Sequence, residues 1–433
     1  MSPEDNSHSA PFLAVPPSMN LPMHTINYKQ PVSAVKAPID GRPIEYGAFS
    51  PTGRAYRVCT RCVMDTTDPE IEFDENGVCN HCRYFDRVIR PLWPSPQEGA
   101  TLIEEMVQKV KAYGVGRKYD CIIGLSGGID SSFCAVKVAE WGLRPLVVHV
   151  DAGWNSELAV MNIEQICSRL GFDLVTHVVD WEEMRDMQLA FLRSNLANQD
   201  VPQDHAFFAA LYGYAEKAGI KYVISGSNIA TESILPSAWG YDAMDLTHMK
   251  AIHSRFGSRP RGDFPTASFF NLYVKFPYLL KMEVLRPLNF LAYDKEEAIR
   301  ILERDYGWRY YGGKHYESRW TRFFQAYYLP YKFGYDKRKA HLSSLVVSGQ
   351  MNRAAALEAL RAPLYDEKLI VEDKIFIAKK LGVSLAEFND LIEQPARHYS
   401  EFPNHQFKRK WASRVYRLMR SVLGVPASLR RKG

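Results

Sequence analysis

The stretch GLSGGIDSS, Gly124 to Ser132, decides how the chain reads. It follows a short apolar run, YDCIIGL (119–125), and opens SSFCAVKVAEWG, whose helical spacing stops at Gly142. A glycine turn between a buried strand and a helix offers an anion backbone N–H groups and the positive end of the helix dipole. Gly127 and Gly128 let a phosphate approach closely, and Ser126, Ser131 and Ser132 add hydroxyl donors. The loop G-x-x-x-x-G-K-[ST] would add a lysine for the β/γ-phosphates, and none stands here. Asp130 cannot meet phosphate favourably, so it is the candidate ligand for a Mg²⁺ that does. Such a loop suits the holding of pyrophosphate as a leaving group.

Outward from the loop the pattern alternates. RPLVVHVD (144–151) and DLVTHVVD (173–180) read as strands, separated by the helical WNSELAVMNIEQICSRLG. A helical stretch through AFFAALYGYAEKAG leads to a fourth strand, KYVISGS (221–227). Strands alternating with helices of this length predict an α/β fold with a doubly wound parallel sheet. Such sheets bind ligands beyond the carboxyl ends of their strands. Those ends read Ser126, Asp151 and Ser225-Gly226, small or polar residues after apolar runs, which predicts one shared cleft.

The 433 residues divide by pattern into an extension at 1–55, a cysteine-rich module at 56–90, the α/β domain at 100–300, a mainly helical region at 301–400 and a tail at 401–433. The extension is rich in proline and lacks periodicity, and reads as mobile. No apolar run reaches the roughly 18–20 residues of a spanning helix, and the amino terminus lacks a signal-peptide pattern, so a cytoplasmic location is expected. The net charge of +5 is unevenly spread: from Phe402 onward there are nine Lys and Arg and no acid, which leaves −4 on the rest. A mildly acidic body argues against a nucleic-acid partner.

Four of the seven cysteines form two C-x-x-C knuckles, Cys59/Cys62 and Cys79/Cys82, with a hairpin signal at Asp74-Glu75-Asn76-Gly77 between them. Two knuckles at this spacing predict a closed tetrahedral four-thiolate site for structural Zn²⁺, because no ligand position is left open. A redox pair is the rival for either knuckle alone. Cys121, Cys134 and Cys167 read as small buried hydrophobes, with Cys134 nearest the cleft.

S-G-G-I-D-S-S at 126–132 resembles the signature of the PP-loop ATP pyrophosphatases. That resemblance implies attack on the α-phosphorus of ATP, release of pyrophosphate, and displacement of the activated AMP-ester by a nitrogen or sulfur nucleophile. It also implies that the Asp151 strand end contacts adenosine. SGSNIATE (225–232) would then be a second phosphate and adenylate loop, with Gly226 and Asn228 as contacts. Taken with RVCTRCVMDTTDPEIEFDENGVCNHC and GGKHYESRWTRFFQAYYLPYKFGYDKRKAHLSSLVVSGQMNR, the chain resembles the N-acetyl sugar amidotransferase family over about 56–400. The extension before Tyr56 departs from that pattern.

The family resemblance implies conversion of a sugar acetamido group to an acetamidino group in bacterial lipopolysaccharide or related surface-glycan biosynthesis. Its ammonia would come from a separate glutaminase and an ammonia-channelling barrel partner, like the pair that makes imidazole glycerol phosphate. Nothing here assembles into a glutaminase, since no free cysteine sits in a nucleophile turn. The competing classes are a tRNA-modifying enzyme of thiolation or lysidine type and a non-catalytic nucleotide-binding module, against which the fully equipped cleft argues. Candidate catalytic residues are Asp130, Ser126, Ser132, Lys250 and His315. Candidates for the substrate are Lys314, His315, Glu317, Arg319, Lys332, Lys337 and Arg338, with a solvated helical face as the alternative reading. In the tail, Trp411, Val415, Leu418, Met419 and Val422 recur at helical spacing opposite Lys410, Arg414, Arg417 and Arg420. This basic amphipathic pattern suits an anionic membrane surface, a partner, or the protein's own core.

Overall fold

The computed structural model describes residues 53–311 and 317–406. The extension up to residue 52, Lys314 and His315, and the tail from 407 lie outside the described residues. Five parallel strands, β1 (Cys121–Gly124), β2 (Pro145–Asp151), β3 (Asp173–Val178), β4 (Tyr222–Ile224) and β5 (Glu283–Leu285), form one sheet in the order β3-β2-β1-β4-β5. The chain starts in the middle, builds two strands to one side, then crosses to the other. The β1/β4 boundary is therefore the switch point, where a parallel sheet opens a crevice. In β1, Cys121, Ile122 and Ile123 have no exposure at all, as a strand covered on both faces requires. Strand β5 was not legible in the sequence: three residues carry too short a periodicity, and only pairing with β4 defines them.

The first helix, α1 (Asn80–Tyr84), continues the second cysteine knuckle. A capping box at Ser95 and Glu98, with Pro96 in the first turn, then starts α2 (Pro96–Gly114). The sheet's helices follow: α3 (Ile129–Glu140), α4 (Glu157–Leu170), α5 (Trp181–Ser194), α6 (Val201–Lys217), the single turn α7 (Ile229–Glu232), α8 (Leu246–Phe256) and α9 (Lys295–Tyr306). One face of the sheet packs against α2, α3, α4 and α9 through Met106, Val136, Ile166 and Leu302. The other packs against α5, α6 and α8 through Met187, Ala206 and Met249. The sheet is thus doubly wound, as its pattern predicts.

Beyond α9 lie α10 (Arg319–Phe323), α11 (Leu329–Phe333), α12 (Lys337–Ser348), α13 (Arg353–Ala359), α14 (Glu367–Leu381) and α15 (Leu385–Glu393). The aromatic residues interleaved with the candidate substrate cations are mostly core: Trp320, Phe323, Phe324, Tyr328 and Leu329 are buried with Trp154 of the β2 loop and Phe388 of α15. Arg322 donates to the buried carboxylate of Asp373 through Nε (3.0 Å) and Nη2 (2.5 Å).

This helical block clasps the cysteine module. Cys59, Cys62, Met64, Ile71 and Phe85 share one apolar cluster with Ile234, Trp239, Ala340 and Val347. Arg353 donates to the carbonyls of Cys59 (2.8 Å from Nη2) and Cys62 (3.0 Å). Buried Lys339 pairs with Asp65, whose carboxylate also accepts from Tyr56 (2.8 Å) and Thr67. Removing one member of a buried ion pair leaves the other desolvated and uncompensated, at a cost of about 3–5 kcal/mol. Lys339→Met is therefore expected to lower unfolding stability by about that much in urea titrations. Adding Asp65→Asn should recover part of the loss.

Candidate functional site

The loop after β1 is held open by its glycines. Gly127 sits at φ +80°, and a Cβ there would meet the carbonyl oxygen of Ala159 at 2.6 Å, so only glycine fits. Its own carbonyl accepts from Trp308 Nε1 (2.9 Å). Gly128 caps α3 without a side chain. Its N–H donates to Ser126 Oγ (3.2 Å), and Ser126 Oγ lies 3.1 Å from Ser131 Oγ. Ser126 is exposed, whereas Ser132 is buried behind the loop, its Oγ in no hydrogen bond among the described residues. The structure therefore places two of the three candidate hydroxyls at the mouth and the third inside.

The second loop closes onto the first. A Cβ on Gly226 would stand 2.8 Å from the carbonyl carbon and oxygen of Asp130 and 2.9 Å from Ser131 N. Asn228 caps α7 by accepting from Thr231 N (2.9 Å), and its Nδ2 donates to Asp130 Oδ1 (3.2 Å). The same Oδ1 accepts from Tyr293 Oη (2.5 Å). Burial, reinforced by Asp130, raises the Tyr293 phenol well above its ordinary range, so it remains a proton donor. Tyr293 was invisible in the sequence because only the chain's return from β5 brings it here. A carboxylate with one oxygen fixed by two donors is a preorganised cation ligand, and the site fits Mg²⁺ on that ground.

The chain beyond α9 reaches the same loop. The Tyr311 hydroxyl lies 3.2 Å, and Glu317 Oε1 3.7 Å, from where a Cβ on Gly128 would stand. Tyr311 is raised far above the usual phenol range by burial, then by Glu317 and Asp130, and it accepts from the N–H of Ile129. Glu317's carbonyl accepts from Ser156 N (2.7 Å), which anchors the segment to the cap of α4.

At the end of β2, Asp151 Oδ1 accepts from Gly153 N (2.8 Å) and Asn155 Nδ2 (3.2 Å). Asn155 also reaches His149 Nε2 (3.1 Å), whose Nδ1 pairs with the carbonyl of Leu125 (3.1 Å). Burial lowers the His149 pKa, consistent with a neutral ring that donates from one nitrogen and accepts at the other. This bridge couples the ends of β1 and β2. From α14, Lys380 donates to the carbonyl of Gly153 and lies over the rings of Trp181 (4.7 Å) and Trp154 (5.2 Å).

The other candidate cations lie elsewhere. Arg319 lies over Phe376 (4.4 Å) with Nε 3.8 Å from Asp373, and stays partly exposed. Lys332 is in the helical core, donating to Asn195 Oδ1 and to the carbonyls of Ile392 (2.9 Å) and Leu391 (3.3 Å), so it caps α15. Arg338 pairs with Asp336 and holds the carbonyl of Ala362 (2.8 Å). Lys337 lies over Phe324 (5.6 Å). Lys250 is exposed on α8, and no contact joins it to the loops among the described residues. Lys314 and His315 lie outside the described residues.

The four cysteine sulfurs lie within 4.8 Å of one another, with Cys59–Cys82 at 4.0 Å and Cys62–Cys79 at 3.7 Å. A tetrahedral centre with Zn–S near 2.3 Å needs sulfurs about 3.8 Å apart, so the cluster fits Zn²⁺. Main-chain N–H groups of Cys79 (3.2 Å) and Arg61 (3.4 Å) donate to Cys59 Sγ, as a thiolate accepts them. His81 is engaged by Asp68 (2.7 Å) rather than by the sulfurs. Cys121, Cys134 and Cys167 are buried, and burial pushes their thiols up, Cys167 to about 11.

Residues 317–417 match the family model described as LPS biosynthesis protein WbpG-like, C-terminal domain. The match supports the family resemblance read from the sequence. Over 136 residues, 31% of this chain, the protein is 29% identical to the tRNA(Ile)-lysidine synthase of Chlamydia pneumoniae, and it spans 40% of that protein's length. Among solved structures, NMN synthetase from Francisella tularensis aligns at 15% identity over 51% of this chain and 89% of that one, with a TM-score of 0.25. The NH3-dependent NAD synthetase from Campylobacter jejuni aligns at 19% identity over 48% of this chain and 84% of that one, with a TM-score of 0.27.

Two outcomes test these placements. Burial holds the Lys332 ammonium pKa down to about 7, against 10.5 when exposed. Between those values the unfolded chain keeps a proton that the folded one has released, so stability rises with pH across that window. Lys332→Met should remove this rise when urea titrations of the two proteins are compared from pH 7 to 10. Stripping metal with a chelator should expose the buried module and unfold or aggregate the protein, seen as a lost cooperative transition by circular dichroism.

Proposed function

We propose that the protein is an ATP-dependent, AMP-forming amidotransferase that converts the acetamido group of an N-acetylated sugar to an acetamidino group for lipopolysaccharide, O-antigen or related glycan biosynthesis. The observation that carries the reading is the meeting of two halves. Glu317, the first residue of the lipopolysaccharide-biosynthesis match, reaches Gly128 of the nucleotide loop, so the block and the loop share one mouth.

The chemistry requires activation because an amide carbon is a poor electrophile. The acetamido oxygen attacks the α-phosphorus of ATP, the bond to the β-phosphate bridge breaks, and pyrophosphate leaves. Ammonia adds to the resulting imidate carbon, and the carbon–oxygen bond breaks with departure of AMP. Loss of protons from the incoming nitrogen completes the amidine. In this reading the Gly127-Gly128 turn, the amino end of α3 and the hydroxyls of Ser126 and Ser131 hold the pyrophosphate. Asp130, its carboxylate oriented by Tyr293 and Asn228, would hold Mg²⁺, which would neutralise phosphate charge when bound. Asp151, fixed by Asn155, lines the adenosine side, with Gly226 and Asn228 closing the opposite wall. Glu317 and Tyr311, beside Gly128, would face the entering sugar. Ammonia would be delivered by the separate glutaminase and its barrel partner.

The similarity to a tRNA(Ile)-lysidine synthase favours a second reading, adenylation of a tRNA base for attack by an amine. Thiolation gains no support from Cys134, which is fully buried with its thiol pushed up. Purified protein with ATP, Mg²⁺, an ammonium salt and a panel of acetamido sugars should yield AMP, pyrophosphate and a sugar in which NH has replaced O by mass. Pyrophosphate release that needs tRNA and ignores sugars would establish the second reading, and ADP formation would overturn both. Asp130→Asn should abolish AMP formation without unfolding the protein. Tyr293→Phe, which removes one of the two donors named on the Asp130 oxygen, should raise the Mg²⁺ requirement about 10- to 100-fold.

A further inference from the structure

Five large exposed apolar side chains fall within eleven residues, Phe270 (55% exposed), Val274 (37%), Tyr278 (72%), Leu279 (63%) and Leu280 (37%). Tyr212 of α6 stacks on Phe276 of the same segment at 5.1 Å, and Phe208, one helical turn before Tyr212, is also exposed. The patch is built on a firm base. Its segment, Asn271–Leu279, is a π-helical turn anchored by the buried Phe276, by Met282 N donating to the Phe276 carbonyl (2.8 Å) and by the Lys275–Glu216 pair (2.6 Å). Lys281, at φ +50°, turns the chain back into β5. Soluble proteins seldom leave so concentrated an apolar surface uncovered without a partner for it.

The described chain ends at the same place. His405 is fastened by Asp242 (3.0 Å to Nε2) and by Asp245, which accepts its main-chain N–H (2.7 Å). Its ring lies 5.7 Å from Phe269 and 6.2 Å from Tyr273. The residues that follow therefore start at the edge of the patch. They are the ones that carry nine cations and no acid from Phe402 onward, with apolar residues at helical spacing from Trp411 to Val422.

We propose that this face docks on an anionic lipid bilayer. Phe270, Val274, Tyr278, Leu279 and Leu280 enter the interfacial layer, and the cations of the adjoining tail meet the headgroups. Charge decides between occupants. Packing of the tail on the patch would set nine cations beside a segment, residues 269–281, that itself carries Lys275 and Lys281 and no acid. An anionic surface satisfies apolar side chains and cations together. Neither feature suffices alone, since stable peripheral attachment takes two signals.

The test uses the full chain with vesicles of phosphatidylcholine alone or mixed with phosphatidylglycerol. Co-sedimentation is expected with the mixed vesicles, lost at high salt, and not with phosphatidylcholine alone. Tyr278→Ser with Leu279→Ser, checked for an unchanged thermal transition, should lower the partition coefficient at least tenfold. No binding to mixed vesicles, or undiminished binding by the double variant, overturns the proposal. An environment-sensitive fluorophore on Leu279→Cys should shift to the blue only when mixed vesicles are added. A blue-shifted emission already present without lipid would show the patch covered by the chain itself or a second copy, and would overturn it too.

Discussion

The absence of a side chain at Gly226 is the constraint on which the site depends. Strands β1 and β4 are neighbours, so the loops leaving them face each other across one inter-strand spacing. At Gly226 the second loop touches the backbone of Asp130 and Ser131, atoms that cannot retreat without breaking the first turn of α3. That contact brings Asn228 within reach of Asp130, and Tyr293 closes on the same oxygen from the far side. The orientation of the carboxylate thus follows from close approach of two backbones. Gly127 serves the same end differently, taking the left-handed conformation that turns the loop above α4.

What was legible in the sequence was whatever local chemistry dictates. Apolar runs ending in small residues marked β1, β2 and β4, and glycines marked the loops, because strand burial and tight turns leave traces within a few residues. The two cysteine knuckles were legible for a similar reason, since each supplies two ligands from one turn. Tyr293, Tyr311, His149 and Asn155 were not, because their roles exist only once distant segments meet. Tyr293 and Asp130 are 163 residues apart. The misread cations have a common physical cause. In YLPYKFGYDKRK the charges look like a solvent or ligand face, yet the aromatic residues around them are core. Lys332 is drawn inward with them and spends its donors on the end of α15, while Arg338 spends its on Asp336 and nearby carbonyls.

The carboxyl-terminal helices tie together parts that lie far apart in the sequence. Ser343 receives the N–H of Val63 in the cysteine module, and Ser344 receives that of Ile234 beyond the second loop, from one turn of α12. Gln350, just past α12, donates to the carbonyl of Tyr293 (2.6 Å). Lys380 and Arg319 hold the loop after β2, through the carbonyls of Gly153 and Trp154. One helical block thus fixes the cysteine module, both sides of Asp130 and the Asp151 strand end. The cysteine cluster, buried against Ile234 and Trp239, is on this account a foundation under the second loop. Its sulfurs are enclosed, so the metal they fit has no route to a reactant. Its contribution must pass through packing, and losing it would loosen the segment that carries Gly226 and Asn228.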